Sequence, residues 1–144
     1  MNEGDTMNEQ QKSTKLAKAM GIYYELYSNT CKFFIDSELW LDVYPYGWRL
    51  NMTDDEVFED FFPNLYKPEN MALAWRVLNW ARECEATVKC VPLSDDTEPF
   101  DMPISTAMYD FFYEEWDLTI MTPVDAQGAW LDRILVLTRQ AGLT

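Results

Sequence analysis

The residues that this chain offers most freely for chemistry are its carboxylates. It has 25 Asp and Glu against 11 Lys and Arg, three cysteines and no histidine. Without an imidazole there is no Ser-His-Asp or Cys-His nucleophile and no histidine-ligated zinc. The cysteines, Cys31, Cys84 and Cys90, are too few for a four-sulfur zinc site within one chain. The five glycines do not cluster, so no phosphate-cradling loop is present. The densest acidic group is Asp54, Asp55, Glu56, Glu59 and Asp60. Such carboxylates suit Mg²⁺ or Ca²⁺, but they lack the Asp-x-Asp-x-Asp-Gly order of a calcium loop. At a helix start the same acids simply complement the positive end of the dipole. A nuclease-type centre built on Asp36, Glu38, Glu85 and Lys89 lacks acid–x–Lys spacing. The expectation is therefore a protein that is not an enzyme, with no catalytic residues, no metal and no cofactor. A small carboxylate- or metal-dependent enzyme, and a structural or assembly protein, stand as the alternatives.

What the carboxylates do supply is charge. The formal net charge is −14, which repels nucleic acid phosphates and anionic membranes. Between Lys89 and Arg133 there is no basic residue, while Asp95, Asp96, Glu98, Asp101, Asp110, Glu114, Glu115 and Asp117 all fall there. A second acidic stretch, Asp36 to Asp60, is relieved only by Arg49. Acids interleaved with aromatic residues can imitate a nucleic acid backbone and fill a basic groove on another protein. The expected partner-binding residues are Asp54, Asp55, Glu56, Glu59, Asp60, Asp95, Asp96, Glu98, Glu114, Glu115, Trp116 and Asp117. Trp40, Trp48 and Trp116 lie beside acids in expected strands, where an aromatic ring can anchor a partner.

The elements that must position these residues are legible in outline. The 144 residues, 48% hydrophobic and 15% aromatic, suit one packed domain from about residue 11 onward, after a flexible 1–10. The clearest unit runs from Pro68 to Leu93. Pro68 and Glu69 suit a helix start. Met71, Ala74, Trp75, Leu78 and Ala81 make one apolar stripe, with Leu73, Val77, Trp80 and Cys84 beside it. Trp75, Trp80 and Trp130 have core spacing, and Cys84 and Cys90 read as buried thiols. Thr87 and Lys89 then alternate with Val88 and Cys90 as a strand.

Before this unit, a first helix is expected over Glu9 to Ser28, unless Gly21 breaks it and leaves an extended, Tyr-rich segment. Phe33 to Ile35 and Leu39 to Tyr44 read as strands, with a turn at Pro45-Tyr46-Gly47 and a further strand from Trp48 to Met52. Thr53 and Glu56 match a capping box that opens a short helix ended by Pro63. After it, Ser94 to Pro103 reads as a surface loop. Met108 to Tyr113 and Trp116 to Met121 read as extended pieces, the first with a short helix over Ser105 to Tyr113 as its alternative. Pro123 to Ala141 is a closing helix, capped by Gly142. This order predicts an α+β fold with helices packed against a small antiparallel β-sheet.

PENMALAWRVLNWARE, the strands after it and AWLDRILVLTRQAGL, with LAKAMG at Leu16 to Gly21, resemble the small bacteriophage proteins of the phage ABA-sandwich family. The chain departs from that pattern in a long insert, Tyr23 to Lys67, and in the acidic loop Ser94 to Asp101. The resemblance implies a phage or prophage origin and a helix–sheet–helix fold, and it carries over no catalytic residue. With the acidic surface, it leads to an expected function. This is a phage-type accessory protein that binds and inhibits a host protein, a nucleic-acid-binding defence nuclease of the restriction or CRISPR kind. It would act in the cytoplasm of a bacterial host. The odd cysteine count and the polar start, without a leader-like or membrane-spanning run, give the same compartment.

Overall fold

A computed structural model of the chain describes residues 7–44, 51–90, 98–108 and 123–144. The elements are α1 (Glu9–Met20), β1 (Tyr23–Tyr27), β2 (Thr30–Phe34), β3 (Trp40–Val43), α2 (Asp54–Phe61), α3 (Met71–Glu83), β4 (Thr87–Cys90), β5 (Phe100–Pro103), α4 (104–108) and α5 (Pro123–Gln140). The class is α+β, with helices and two small antiparallel sheets, β1-β2-β3 and β4-β5. Contacts divide the chain into two compact units, Met1–Leu65 and Tyr66–Thr144, each holding one of the sheets.

In the first unit, α1 opens on a capping box. The Asn8 side chain accepts from the Gln11 N–H at 2.8 Å, and the Gln11 side chain accepts from the Asn8 N–H at 3.0 Å. α1 thus begins at Glu9, with Asn8 as its N-cap. Gly21, at φ 89°, closes α1: its N–H reaches the Lys18 carbonyl and the Ile22 N–H reaches that of Ala17. The helix therefore stops at Met20 instead of running to Ser28. The Tyr-rich residues after Gly21 become β1, because left-handed backbone at Gly21 turns the chain out of the helix.

β1 and β2 form a hairpin across Ser28-Asn29, with Tyr23 opposite Phe34 and Tyr27 opposite Thr30. β3 adds to β2, with Phe34 opposite Trp40 and Cys31 opposite Val43. One face is core. Cys31 and Phe33 are fully buried, and the Phe33 ring lies 5.4 Å from Phe58, 5.1 Å from Phe62 and 6.0 Å from Tyr24. Phe58 and Phe62 come from α2 and the residue after it, so α2 backs this face.

The α2 capping box forms as expected. Thr53 Oγ1 accepts from the Glu56 N–H at 3.2 Å, and the Glu56 carboxylate accepts from the Thr53 N–H at 3.3 Å. Polar residues of α1 fasten the far end. Gln10 Nε2 donates to the Phe62 carbonyl at 2.6 Å, and Ser13 Oγ accepts from the Leu65 N–H at 2.9 Å. The expected turn at residues 45–47 and the strand from Trp48 fall largely outside the described residues; Met52, which is described, is not in a strand.

In the second unit, Pro68–Asn70 form a 3-10 turn leading into α3. Leu73, Ala74, Val77, Leu78 and Ala81 are buried, as are Trp130, Leu131, Ile134, Leu135 and Leu137 of α5, on which α3 packs. Trp75 corrects the core expectation: it is 47% exposed. It sits at the seam, edge-on to the buried Trp130 at 5.8 Å between centroids, with its outer part in water. Cys84, at the end of α3, is only half-buried.

β4 alternates as expected, with Val88 buried between exposed Thr87 and Lys89. Its partner β5 lies at the end of the segment read as a loop. Phe100 pairs with Cys90, and Pro103 closes the strand opposite Thr87, where a missing N–H is tolerated. Residues 104–108 are helical, so Met108 is not extended; 109–122, including Trp116 to Met121, lie outside the described residues. α5 ends in a Schellman motif. Gly142, at φ 77°, donates to the Arg139 carbonyl, and Leu143 donates to that of Thr138 at 2.8 Å.

Candidate functional site

Two surfaces of the first unit carry chemistry. On α2, Asp54 and Asp55 occupy the first turn and Glu59 and Asp60 point to solvent, while Val57 and Phe58 face the core. These acids are not a uniform anionic surface. Asp55 pairs with Lys18 of α1, and Asp54 accepts a hydrogen bond from the Tyr24 hydroxyl at 2.6 Å. Glu56 is engaged in the capping box. The charge left outward is chiefly that of Glu59 and Asp60.

The Tyr24–Asp54 bond lies at a cleft of about 430 Å³ lined by Lys18, Gly21, Ile22, Tyr23, Tyr24, Asp54 and Phe58. Burial, and then the carboxylate beside it, pushes the Tyr24 phenol up to about 12. The cleft carries one cation and one carboxylate at its rim, and Lys18 lies 5.8 Å over the Phe58 ring. Tyr24 and Asp54 bond to each other there, and Lys18 pairs with Asp55 outside the cleft lining.

The second surface is the outer face of β1-β2-β3, opposite the face that α2 covers. Side chains alternate along a strand, so residues in register form rows across the sheet. One row is Tyr23, Phe34 and Trp40. The next is Glu25, Lys32 and Asp42, and Tyr27 and Thr30 follow. The aromatic residues stay in water: Tyr23 is 56% exposed, Tyr27 53% and Trp40 54%. Tyr23 stacks on Phe34 with centroids 4.9 Å apart and planes 15° from parallel.

Lys32 sits between the two ends of this face. Its ammonium lies 5.6 Å from the Tyr27 ring centroid and 5.5 Å from that of Trp40. Asp42 is 3.9 Å from the same nitrogen, and Glu25 accepts from the Tyr27 hydroxyl at 2.7 Å. That bond raises the Tyr27 phenol above its ordinary value. Trp40, expected to anchor a partner, is exposed on this face.

Among the expected partner-binding residues, Asp54, Asp55, Glu56, Glu59 and Asp60 share α2, and Glu98 is exposed just before β5. Asp95, Asp96, Glu114, Glu115, Trp116 and Asp117, with Trp48, lie outside the described residues. The acidic stretch from Asp36 to Asp60 does not form one surface. Asp42 stands on the outer sheet face, whereas the α2 acids stand on the helix that backs the other face. Sequence reasoning missed Tyr23, Tyr27, Phe34 and Lys32 as a surface. Their period-2 spacing, continued across the Ser28-Asn29 turn, is the signal that marks them.

No group of three or more Cys, Asp or Glu side chains converges to hold a metal ion among the described residues. Asp36 instead closes its own turn, its carboxylate accepting from the N–H groups of Glu38 and Leu39 at 2.8 and 2.9 Å. Cys31 is buried and its thiol is pushed up to about 11 by that burial, which keeps it protonated and poorly nucleophilic. No helix among the described residues is long and apolar enough to cross a membrane. Comparison with protein-family models, with characterised proteins and with solved structures finds no match.

Proposed function

We propose that this protein acts by binding another protein rather than by catalysis. In this reading it is a phage-type accessory protein that occupies the basic groove of a host nucleic-acid-binding protein, such as a defence nuclease, and inhibits it by steric blockade. The observation that carries the reading is the outer face of β1-β2-β3, where half-exposed Tyr23, Tyr27 and Trp40 stand beside Glu25 and Asp42. Large rings left in water are costly unless a partner covers them, and aromatic anchors ringed by polar groups are typical of binding hot spots. A net charge of −14 steers such a face toward basic partners and away from nucleic acid itself. The exposed Glu59 and Asp60 of α2 add to that field.

The test is capture from bacterial lysate with the tagged full chain, followed by purification of the captured protein and a direct inhibition assay. The reading expects a nucleic-acid-binding enzyme that duplex DNA displaces and that loses activity when the complex forms. Reversal of Asp55, Glu59 and Asp60 to lysine should slow association and flatten its salt dependence. Capture of nothing, or of a protein whose activity is untouched, sinks the proposal.

A further inference from the structure

The outer sheet face holds one cation of its own. Lys32 is the only basic residue in the three strands, YYELY, TCKFF and WLDV. Its ammonium is held between the Tyr27 and Trp40 rings and beside the Asp42 carboxylate. The strand register places Glu25 on its other side. This is the arrangement by which aromatic faces and carboxylates hold a cation: the ring quadrupole attracts it and the acid neutralises it. The face carries two carboxylates and one ammonium, so one negative charge is left over. Tyr23, stacked with Phe34, adds an open ring at the end of the row that holds Trp40.

We infer that the outer face of β1-β2-β3 is a recognition site for cationic side chains, arginine above all, on a protein partner, and that Lys32 is an internal placeholder that the partner's cation joins or displaces. Arginine fits better than lysine because its planar guanidinium stacks on an aromatic ring while its N–H groups reach a carboxylate. Single-stranded nucleic acid, which also stacks on aromatic sheet faces, is disfavoured by Glu25 and Asp42 standing between the aromatic rows. A second copy of this chain is disfavoured by the charge of −14 that it would bring. The inference rests on the reading of the protein as a binder, and it specifies which face binds and what that face reads.

The probe is a short tri-arginine peptide, compared with the same peptide carrying neutral citrulline in place of arginine. Binding to the full chain is followed by isotope-resolved NMR at the Trp40 indole and the Tyr23 and Tyr27 rings. The arginine peptide should shift these signals and the citrulline peptide should not. Lys32→Met keeps the apolar stem and removes the charge; it should tighten the peptide on the order of threefold to tenfold, the size of one like charge removed at about 6 Å in partly exposed surroundings. Lys32→Arg, which keeps the charge and fits the site at least as well as lysine, should bind the peptide no more tightly than the parent, and Trp40→Ala should weaken binding by at least about tenfold. Melting curves of each variant confirm that the fold persists.

Equal binding of both peptides, an unchanged or weaker affinity in Lys32→Met, or tighter binding of a single-stranded oligonucleotide overturns the inference. If a captured partner tolerates Trp40→Ala and Lys32→Met but is lost on reversal of the α2 acids, the binder reading stands and this inference falls. If the peptide behaves as expected while lysate yields no nucleic-acid-binding partner, the cation-reading face stands and the reading of the protein as a nuclease inhibitor falls.

Discussion

Phe33 and Phe34 are neighbours in sequence with opposite fates, and replacing each by alanine tests the whole placement of the sheet. Phe33 is fully buried, with the rings of Tyr24, Phe58 and Phe62 between 5.1 and 6.0 Å away. Its removal forfeits the transfer energy of a large side chain and leaves a cavity that three rigid rings cannot close. The expected cost is about 3–5 kcal/mol. Native domains hold only about 5–15 kcal/mol in total, so this is a large fraction. Phe34 is half-buried on the other face, and its described ring partner is Tyr23 at 4.9 Å. Its removal should cost about 1 kcal/mol, the size of one cross-strand aromatic pair. Urea unfolding followed by circular dichroism reads both. With a slope of about 1–3 kcal/mol per molar, Phe33→Ala should lower the midpoint by roughly 1–5 M and Phe34→Ala by roughly 0.3–1 M, a shift about threefold to fivefold smaller at any one slope. Equal losses, or a larger loss at Phe34, would refute the assignment of inner and outer faces, and with it the proposed binding surface.

Other outcomes follow from the same geometry. Thr53→Ala removes the cap at which the Glu56 N–H is accepted at 3.2 Å and should cost about 1 kcal/mol in a urea titration. Alkylation followed by mass spectrometry should modify half-buried Cys84 at least about tenfold faster than buried Cys31, the latter reacting only as the protein opens. Stability should also decline in alkali. Burial pushes Cys31 from 9.0 to about 11, and burial with the Asp54 hydrogen bond pushes Tyr24 from 10.0 to about 12. The unfolded chain thus releases these protons first, so their contribution is complete below about pH 9 and is lost as the pH climbs toward 12. A urea midpoint that is flat from pH 8 to 12 would contradict this.

The amino-acid sequence alone determined what is local or compositional. The α2 capping box, the Gly142 cap and the alternation of Thr87, Val88 and Lys89 are each specified within a few residues, and each is present. The absence of histidine and the charge of −14 belong to composition and need no structure. Where the sequence misled, a long-range term decided. Trp75 has core spacing, but it ends edge-on to buried Trp130 with 47% of its surface exposed. Phe100–Pro103 has a loop's composition and becomes a strand because β4 offers it a ladder. The proposed binding surface shows this most clearly. Tyr23, Lys32 and Trp40 are spread along the chain, and only strand pairing brings them onto one face. Asp42 and Asp54, which belong to a single acidic stretch, end on different elements because α2 packs on the inner side of the sheet. Local signals are written in adjacent residues; the side of a sheet that stays open is set by what packs on the other side.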